Sequence, residues 1–217
     1  MTYDTVVFDN DGVLVRRTSY NVLEAAAADT FKQFDIDPEP DHVEEMAVGV
    51  TPEKVQSIAD QYGLDRDEFW SVRDRVGAEA QYEEIRQGRK ELYDDLDTLH
   101  DLDVRMGIVS SNQQATVDYV LDHYDVDHLF ETAYGREPTV ESLRRRKPNS
   151  HYIDQALADL DAENALFVGD NESDIRAAEN AGIDSAFIRR PHRRDWDLNV
   201  WPTWDIDRLD DLHDIVQ

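Results

Sequence analysis

The stretch DTVVFDNDGVLV, residues 4–15, opens with a β-branched and aromatic run and stops at Asp9-Asn10-Asp11-Gly12. A buried strand meeting a turn reads this way, because Val and Phe fill the faces of a pleated sheet while Asp, Asn and Gly accept turn geometry. From Ser19 to Arg86 the character changes. Apolar residues recur at helical spacing in NVLEAAAADTFKQF, DHVEEMAV, TPEKVQSIADQY and DEFWSVRDRVGAEAQYEEI, punctuated by Pro38, Pro40, Gly49, Pro52 and Gly63. After Gly88 the rhythm becomes alternation: a helix through Leu99, strand 104–109, helix 115–123, strand 131–134, helix 150–160, strand 165–168, helix 173–181 and strand 185–188. Alternating strands and helices predict an α/β fold, a parallel sheet wrapped by helices, with the first strand separated from its sheet by an all-helical insertion. Residues 1–15 and 88–217 form the expected core, and 16–87 the insertion.

The 217 residues carry 49 acidic and 22 basic side chains, a formal charge of −27. Such a surface repels phosphate backbones and anionic lipid, so nucleic acid and membrane are excluded as expected partners. No apolar run reaches the roughly 18 residues of a membrane helix, and Met1-Thr2-Tyr3-Asp4 lacks the features of an export signal; a cytoplasmic location is expected. Cysteine is absent, which removes disulfides, thiolate zinc sites and cysteine nucleophiles and leaves oxygen or histidine as metal ligands. Four lysines against eighteen arginines, and 33 aspartates against 16 glutamates, resemble a salt-adapted proteome such as that of a halophilic archaeon. In molar salt the Debye length falls to about 3 Å and self-repulsion is screened.

Asp9 and Asp11 stand out by placement. D-x-D occurs nine times, for example at Asp35/Asp37, Asp65/Asp67 and Asp101/Asp103, where solvated loop acid accounts for it. At Asp9/Asp11 an apolar strand precedes and Gly12-Val13-Leu14-Val15 follows, which sets two carboxylates where open α/β sheets place their ligands. A turn cap needs only one of them. Asp170 and Asp174 pass the same test: strand 165–168 runs into Gly169-Asp170-Asn171-Glu172-Ser173-Asp174 and a helix follows. Helix capping by Asn171 or Ser173 competes for part of this cluster and leaves Asp170 unexplained. Between the two clusters, Met106–Val109 leads into Ser110-Ser111-Asn112 beside a helix start, a seat for phosphate, though Ser and Asn are also ordinary caps. Lys147, one of only four lysines, precedes Pro148-Asn149 at another helix start, where a compact cation can hold a phosphoryl oxygen.

In order, DNDGV (9–13), IVSSN (108–112), KPNS (147–150) and GDNESDIRAAENAG (169–182) resemble the four motifs of the haloacid dehalogenase superfamily, and within it the phosphoglycolate phosphatase-like hydrolases with an inserted helical cap. The resemblance spans most of the chain outside the insertion. It implies a Rossmann-like core and magnesium-dependent hydrolysis of a small phosphorylated metabolite, phosphoglycolate-like or a sugar phosphate. It implies Asp9 as the nucleophile that forms an aspartyl-phosphate, and Asp11 as the acid for the leaving alkoxide and then the base for water. Mg2+ is implied on Asp9, the Asp11 backbone carbonyl and Asp170, with Asp174 in or near the shell. Ser110, Ser111 and Lys147 are the implied phosphate-binding groups; Ser111 stands where relatives often carry Asn, and Asn112 follows it.

Three other readings use similar pieces. A 2-haloacid dehalogenase also has an aspartate nucleophile, but needs no metal and resembles a pattern without the second acid that Asp11 supplies. A phosphomutase of the β-phosphoglucomutase type carries a cap histidine a short way beyond the nucleophile; that place falls near Asn21, and none of the seven histidines occupies it. A receiver-like phosphorylatable domain, the non-enzymatic alternative, has its phosphoacceptor on a middle strand and no large helical insertion. Basic residues cluster at Arg16-Arg17, Arg144-Arg145-Arg146-Lys147 and Arg189-Arg190 with Arg193-Arg194, ten of the 22. All three clusters are expected at the carboxyl edge of the sheet, drawing in an anionic substrate; surface pairing with the abundant acid explains them equally well. Arg16 and Arg17, at a hinge of the insertion, are the substrate candidates, suited to a second anionic group such as a carboxylate. Trp196, Trp201 and Trp204 are expected to pack.

Overall fold

The computed structural model describes residues 3–216. Six strands, β1 (Thr5–Phe8), β2 (Arg105–Gln113), β3 (Thr132–Arg136), β4 (Ala165–Gly169), β5 (Asp184–Ile188) and β6 (Trp204–Ile206), form one parallel sheet in the order β3-β2-β1-β4-β5-β6. The chain builds outward from β1 to β2 and β3, then returns to lay β4, β5 and β6 on the other side. The crevice beyond the carboxyl ends of the strands at such a reversal is where parallel α/β sheets bind ligands. Register delivers three segments there together: Phe8 pairs with both Ile108 and Val168, so Asp9, Val109 and Gly169 come next along three adjacent strands.

Helices α1 (Tyr20–Lys32), α2 (Pro40–Ala47), α3 (Pro52–Tyr62) and α4 (Arg66–Arg86) fill the connection from β1 to β2. Helices α5 (Gln114–Tyr124), α6 (His151–Asp159) and α7 (Glu172–Ala181) join the later strands, and the short α8 (His213–Val216) follows β6. Side chains alternate across the sheet with the period of two. Val6, Phe8, Ile108, Leu166 and Val168 face a layer containing Leu99, Val117 and Leu209, while Val7, Val109 and Phe167 face Ile153, Ala156, Ala177 and Ala178. Cover on both faces explains why β1 reads as a continuous apolar run. Each large side chain so buried stabilises the fold by about 1.5–3 kcal/mol.

The insertion has its own apolar cluster, built from Phe31, Met46, Ile58, Phe69 and Trp70 among others. Its helices start where the backbone donors are met: the Thr51 side chain accepts from Lys54 N–H ahead of Pro52, and Asp65 accepts from the N–H groups of Asp67 and Glu68. Val140 and Leu143, from the segment after β3, complete this cluster although they lie far outside residues 16–87. Nearby, Arg144 reaches Glu53 at 2.6 Å and Arg146 donates to the Val50 carbonyl.

The helix expected through Leu99 does not form; only the 3-10 turn Leu96–Asp101 does. Tyr93 N–H donates to the Leu14 carbonyl (3.0 Å), Arg16 N–H to that of Glu91 (2.8 Å), and Leu92 bridges Val15 antiparallel. Lys90 and Asp95 are buried in ion pairs with Asp11 and Arg190, and these tertiary bonds override local helix propensity. Strand β2 runs on to Gln113 past a register shift, so Ser110-Ser111-Asn112 lie on the strand and Gln113 caps α5. Strand β6 was not expected, because three residues are too few to show alternation. Trp196 packs edge-on against Phe187, but Trp201 is 92% exposed and Trp204 is 40% exposed, correcting the expectation that all three pack. Among the described residues no helix is long and apolar enough to cross a membrane.

Candidate active site

Beyond β1 the chain turns back at once: the Asn10 carbonyl accepts from the N–H groups of Val13, Leu14 and Val15, and Gly12 sits at φ +90°. That conformation favours glycine, and a Cβ at Gly12 would also overlap the Asp170 carboxylate. Gly169 is excluded from change for a similar reason, since a Cβ there would overlap the Asp174 side chain. Gly12 lets the two acidic clusters approach each other, and Gly169 lets Asp174 close back on its own turn.

Asp9, Asp170 and Asp174 converge, each offering a carboxylate oxygen within 4.8 Å of the others, and all three are buried. Lys147 Nζ lies 2.9 Å from Asp9 Oδ1 and 2.8 Å from Asp174 Oδ1, and donates to the Val109 carbonyl at 3.1 Å. Arg193 Nε lies 3.4 Å from Asp170 Oδ2, so two fixed cations face three carboxylates. Burial, with the nearby Asp174 and Asp170, pushes Asp9 up to about 8 against the pull of Lys147. Asp174 is raised, by burial first and by Asp170, against the same cation. Burial works against the charge on Lys147, but Asp174 and Asp9 outweigh it and raise its proton affinity. A buried, oxygen-only donor set with an excess of negative charge fits a hard divalent cation.

Asp174 divides its carboxylate. Oδ2 accepts from the N–H groups of Asp170 (3.1 Å) and Asn171 (2.9 Å), closing a capping box at the start of α7, and Oδ1 faces Lys147. Asn171 is the cap, accepting from Ser173 N–H at 3.3 Å. Asp170 has different neighbours: His192 Nε2 lies 2.6 Å from its Oδ2, and Arg193 Nε donates to its carbonyl at 2.8 Å.

Asp11 belongs to a separate network. The fully buried Lys90 pairs with its Oδ1, and the Asn112 amide donates to its Oδ2 at 2.9 Å. Lys90 also donates to Gln81 Oε1 (3.0 Å) and Thr18 Oγ1 (3.1 Å). Burial opposes charge on Asp11, but Lys90, Asn112 and Asn10 hold its carboxyl below the usual range. Sequence reasoning misses Lys90 and Gln81, although scarcity, the criterion that singles out Lys147, applies equally to Lys90.

A cavity of about 260 Å³ opens between the insertion and the sheet edge, with Asp11, Ser111, Asn112 and Arg17 in its wall. Asp9 is outside this lining. Ser110 is buried and its hydroxyl accepts from Asn112 N–H at 3.1 Å. Arg16 lies over the Tyr93 ring at 5.4 Å, outside the cavity. The arginine clusters divide between the two expected roles: Arg190 is buried on Asp95 (2.6 Å), Arg189 pairs with Asp205 (2.8 Å) and Arg144 with Glu53, whereas Arg17 and Arg146 reach the cavity.

The profile of a family described as haloacid dehalogenase-like hydrolase matches residues 6–188. Among curated proteins, the pyrophosphatase PpaX of Anoxybacillus flavithermus is 26% identical over 201 residues, 87% of this chain and 84% of that protein. Two solved structures share the fold. A predicted phosphoglycolate phosphatase from Haemophilus somnus gives a TM-score of 0.67 at 23% identity, covering 99% of this chain and 98% of the other. The HAD-hydrolase YfnB from Bacillus subtilis, described as bound to magnesium, gives 0.61 at 19% identity, covering 100% and 99%. Since the matched span runs from β1 to the end of β5 and takes in Asp9, Asp11, Lys147, Asp170 and Asp174, this chain belongs to the haloacid dehalogenase-like hydrolase family.

Proposed function

We propose that the protein is a cytoplasmic, magnesium-dependent phosphatase that hydrolyses a small phosphomonoester through an aspartyl-phosphate, with residues 16–87 acting as a cap. The observation that carries this reading is the convergence of Asp9, Asp170, Asp174 and Lys147 at the end of the central strand, with Asp11 beside them on a cavity of metabolite size. A carboxylate oxygen of Asp9 attacks phosphorus in line, and the new O–P bond forms as the bond to the leaving oxygen breaks. Asp11 gives that oxygen a proton. In the free protein Lys90 and Asn112 favour the charged form of Asp11, and an arriving phosphoryl anion raises its proton affinity. Water then attacks the phosphoryl group, Asp11 takes its proton, and orthophosphate leaves as Asp9 is restored. Lys147, Ser110 and Ser111 hold the phosphoryl oxygens. When bound by Asp9, Asp170, Asp174 and the Asp11 carbonyl, magnesium supplies positive charge against the phosphoryl group.

Turnover of a panel of phosphorylated metabolites with magnesium tests the proposal. Asp9→Asn is expected to lower kcat by more than about a thousandfold, because an amide is a far poorer nucleophile. Undiminished turnover by that variant rules the mechanism out.

A further inference from the structure

Of the arginine clusters in the sequence, the one after β5 touches Asp170. The chain leaves β5 through Arg189-Arg190-Pro191-His192-Arg193-Arg194 and folds into a turn: Arg193 N–H donates to the Arg190 carbonyl at 2.7 Å, and Trp196 N–H to the Arg193 carbonyl at 3.1 Å. Arg189 fastens this turn, its Nη1 donating to the Trp196 carbonyl (2.9 Å) while Nε and Nη2 grip Asp205 (2.8 Å each). The Arg193 guanidinium lies 3.6 Å over the Trp196 ring, which packs against Phe187. Two side chains of the turn reach Asp170. Arg193 Nε donates to its carbonyl (2.8 Å) and lies 3.4 Å from Oδ2, and His192 Nε2 meets the same Oδ2 at 2.6 Å. A carboxylate only accepts, so His192 is the donor. Gly12 crowds this oxygen too, since a Cβ there would overlap it. Asp170 Oδ1, in contrast, accepts from no described residue. Asp9 is divided in the same way: Oδ1 takes Asn10 N–H and Lys147, and Oδ2 has no described donor. Two buried carboxylates of one cluster thus each have one oxygen held by the protein and one left over.

We propose that His192 is a positioning residue for the metal: by holding Oδ2 it fixes the rotation of the Asp170 carboxylate and presents Oδ1 to the cation. The inference rests on the magnesium reading of the site. Magnesium demands near-ideal octahedral ligand directions, and a carboxylate free to turn about its Cβ–Cγ bond meets that demand only part of the time. A hydrogen bond to the oxygen that faces away from the ion removes this freedom, and a partner placed behind a ligand in this way is worth about ten- to a hundredfold in metal affinity. Arg193 has a different task, tying the turn to the Asp170 backbone so that the imidazole stays in place. The His192 side chain is 28% exposed and lines an open surface cavity of about 430 Å³ together with residues 16–20, so a small molecule from solution can take the place of its ring.

Calorimetric titration of magnesium alone into the metal-free full chain, at constant KCl, tests this without turnover. His192→Ala is expected to weaken the Kd about tenfold or more. His192→Gln, whose amide nitrogen can stand in for Nε2, should stay within about threefold of the wild type, and added imidazole should restore binding to His192→Ala. Should His192→Ala fail to fold, His192→Phe, a ring without a donor, is compared with His192→Gln. An unchanged Kd in the variant without a donor overturns the proposal, whether or not the metal-free unfolding midpoint falls. So does a loss that neither glutamine nor imidazole repairs, or a wild type that binds no magnesium. A Kd that follows His192 in a protein that hydrolyses no phosphate ester keeps the positioning role and removes the phosphatase reading; magnesium-dependent hydrolysis with a Kd indifferent to His192 does the reverse.

Discussion

Lys90 lies 79 positions beyond Asp11, yet its fully buried ammonium rests on the Asp11 carboxylate. Breaking such a pair from one side leaves an unbalanced charge, which costs about 3 kcal/mol. Lys90→Met is expected to lose that much stability in urea unfolding and to lower kcat more than it changes KM. The double variant Lys90→Met/Asp11→Asn should regain much of the stability and none of the turnover. Wild-type stability and kcat in Lys90→Met would contradict a positioning role for this lysine.

Magnesium should stabilise the folded chain whether or not substrate is present. At about a hundredfold excess over Kd a ligand adds about 2.7 kcal/mol, and Asp170→Asn should abolish that gain in thermal melts. The exposed trio Asp125, Asp127 and His128 provides the control, since Asp127→Asn should leave the gain intact. A gain lost with Asp127 and kept without Asp170 would move the metal site.

The Asp95–Arg190 pair sets part of the acid stability. Burial opposes charge on Asp95, but hydrogen bonds from Arg190 and the Leu209 N–H hold its carboxyl below the usual range. Its charged form therefore stabilises the fold above the unfolded pKa of about 3.9, and this contribution is lost as pH falls from there through the folded value. Asp95→Asn should be less stable at neutral pH by about 3 kcal/mol, and the gap should narrow below about pH 4. A gap constant down to pH 3 would refute the assignment.

Salt should act on the whole chain. With a net charge of −27, screening between dilute and molar KCl is expected to raise the unfolding midpoint. A gain of about 2 kcal/mol corresponds to about 4–8 °C in a chain of this size. A midpoint independent of KCl would remove the case for salt adaptation.

The central sheet is legible in the sequence because TVVF, MGIV and ALFV are buried and each leads into a polar segment, so local composition and tertiary position agree. Asp9, Asp170, Asp174 and Lys147 are legible through those same strand ends, and the structure brings all four together. The residues around Asp11 are less so. Lys90 follows a helix and precedes a segment of helical composition, and it is the bonds of residues 90–95 to Asp11, Leu14, Val15, Arg16 and Arg190, all distant in sequence, that keep the helix from forming. Arg73 and Arg146 look like surface charge on helical and loop segments, whereas the structure turns both onto backbone carbonyls beside the cavity and lays Arg73 over the Trp70 ring. Arg16 shows the converse, since its place after β1 suggests the site while its side chain turns to Tyr93.

Val140 and Leu143 make the helical insertion and the segment leading to Lys147 one mechanical unit. Any outward swing of α1–α4 must either strip these two side chains from their apolar neighbours or drag residues 140–146 along. In the second case the pull arrives at the very next residue, the ammonium that holds Asp9 to Asp174. Were the insertion to move as the proposed cap, its position and the setting of the nucleophile would be geared to each other through a few residues of backbone, with no relay across the cavity.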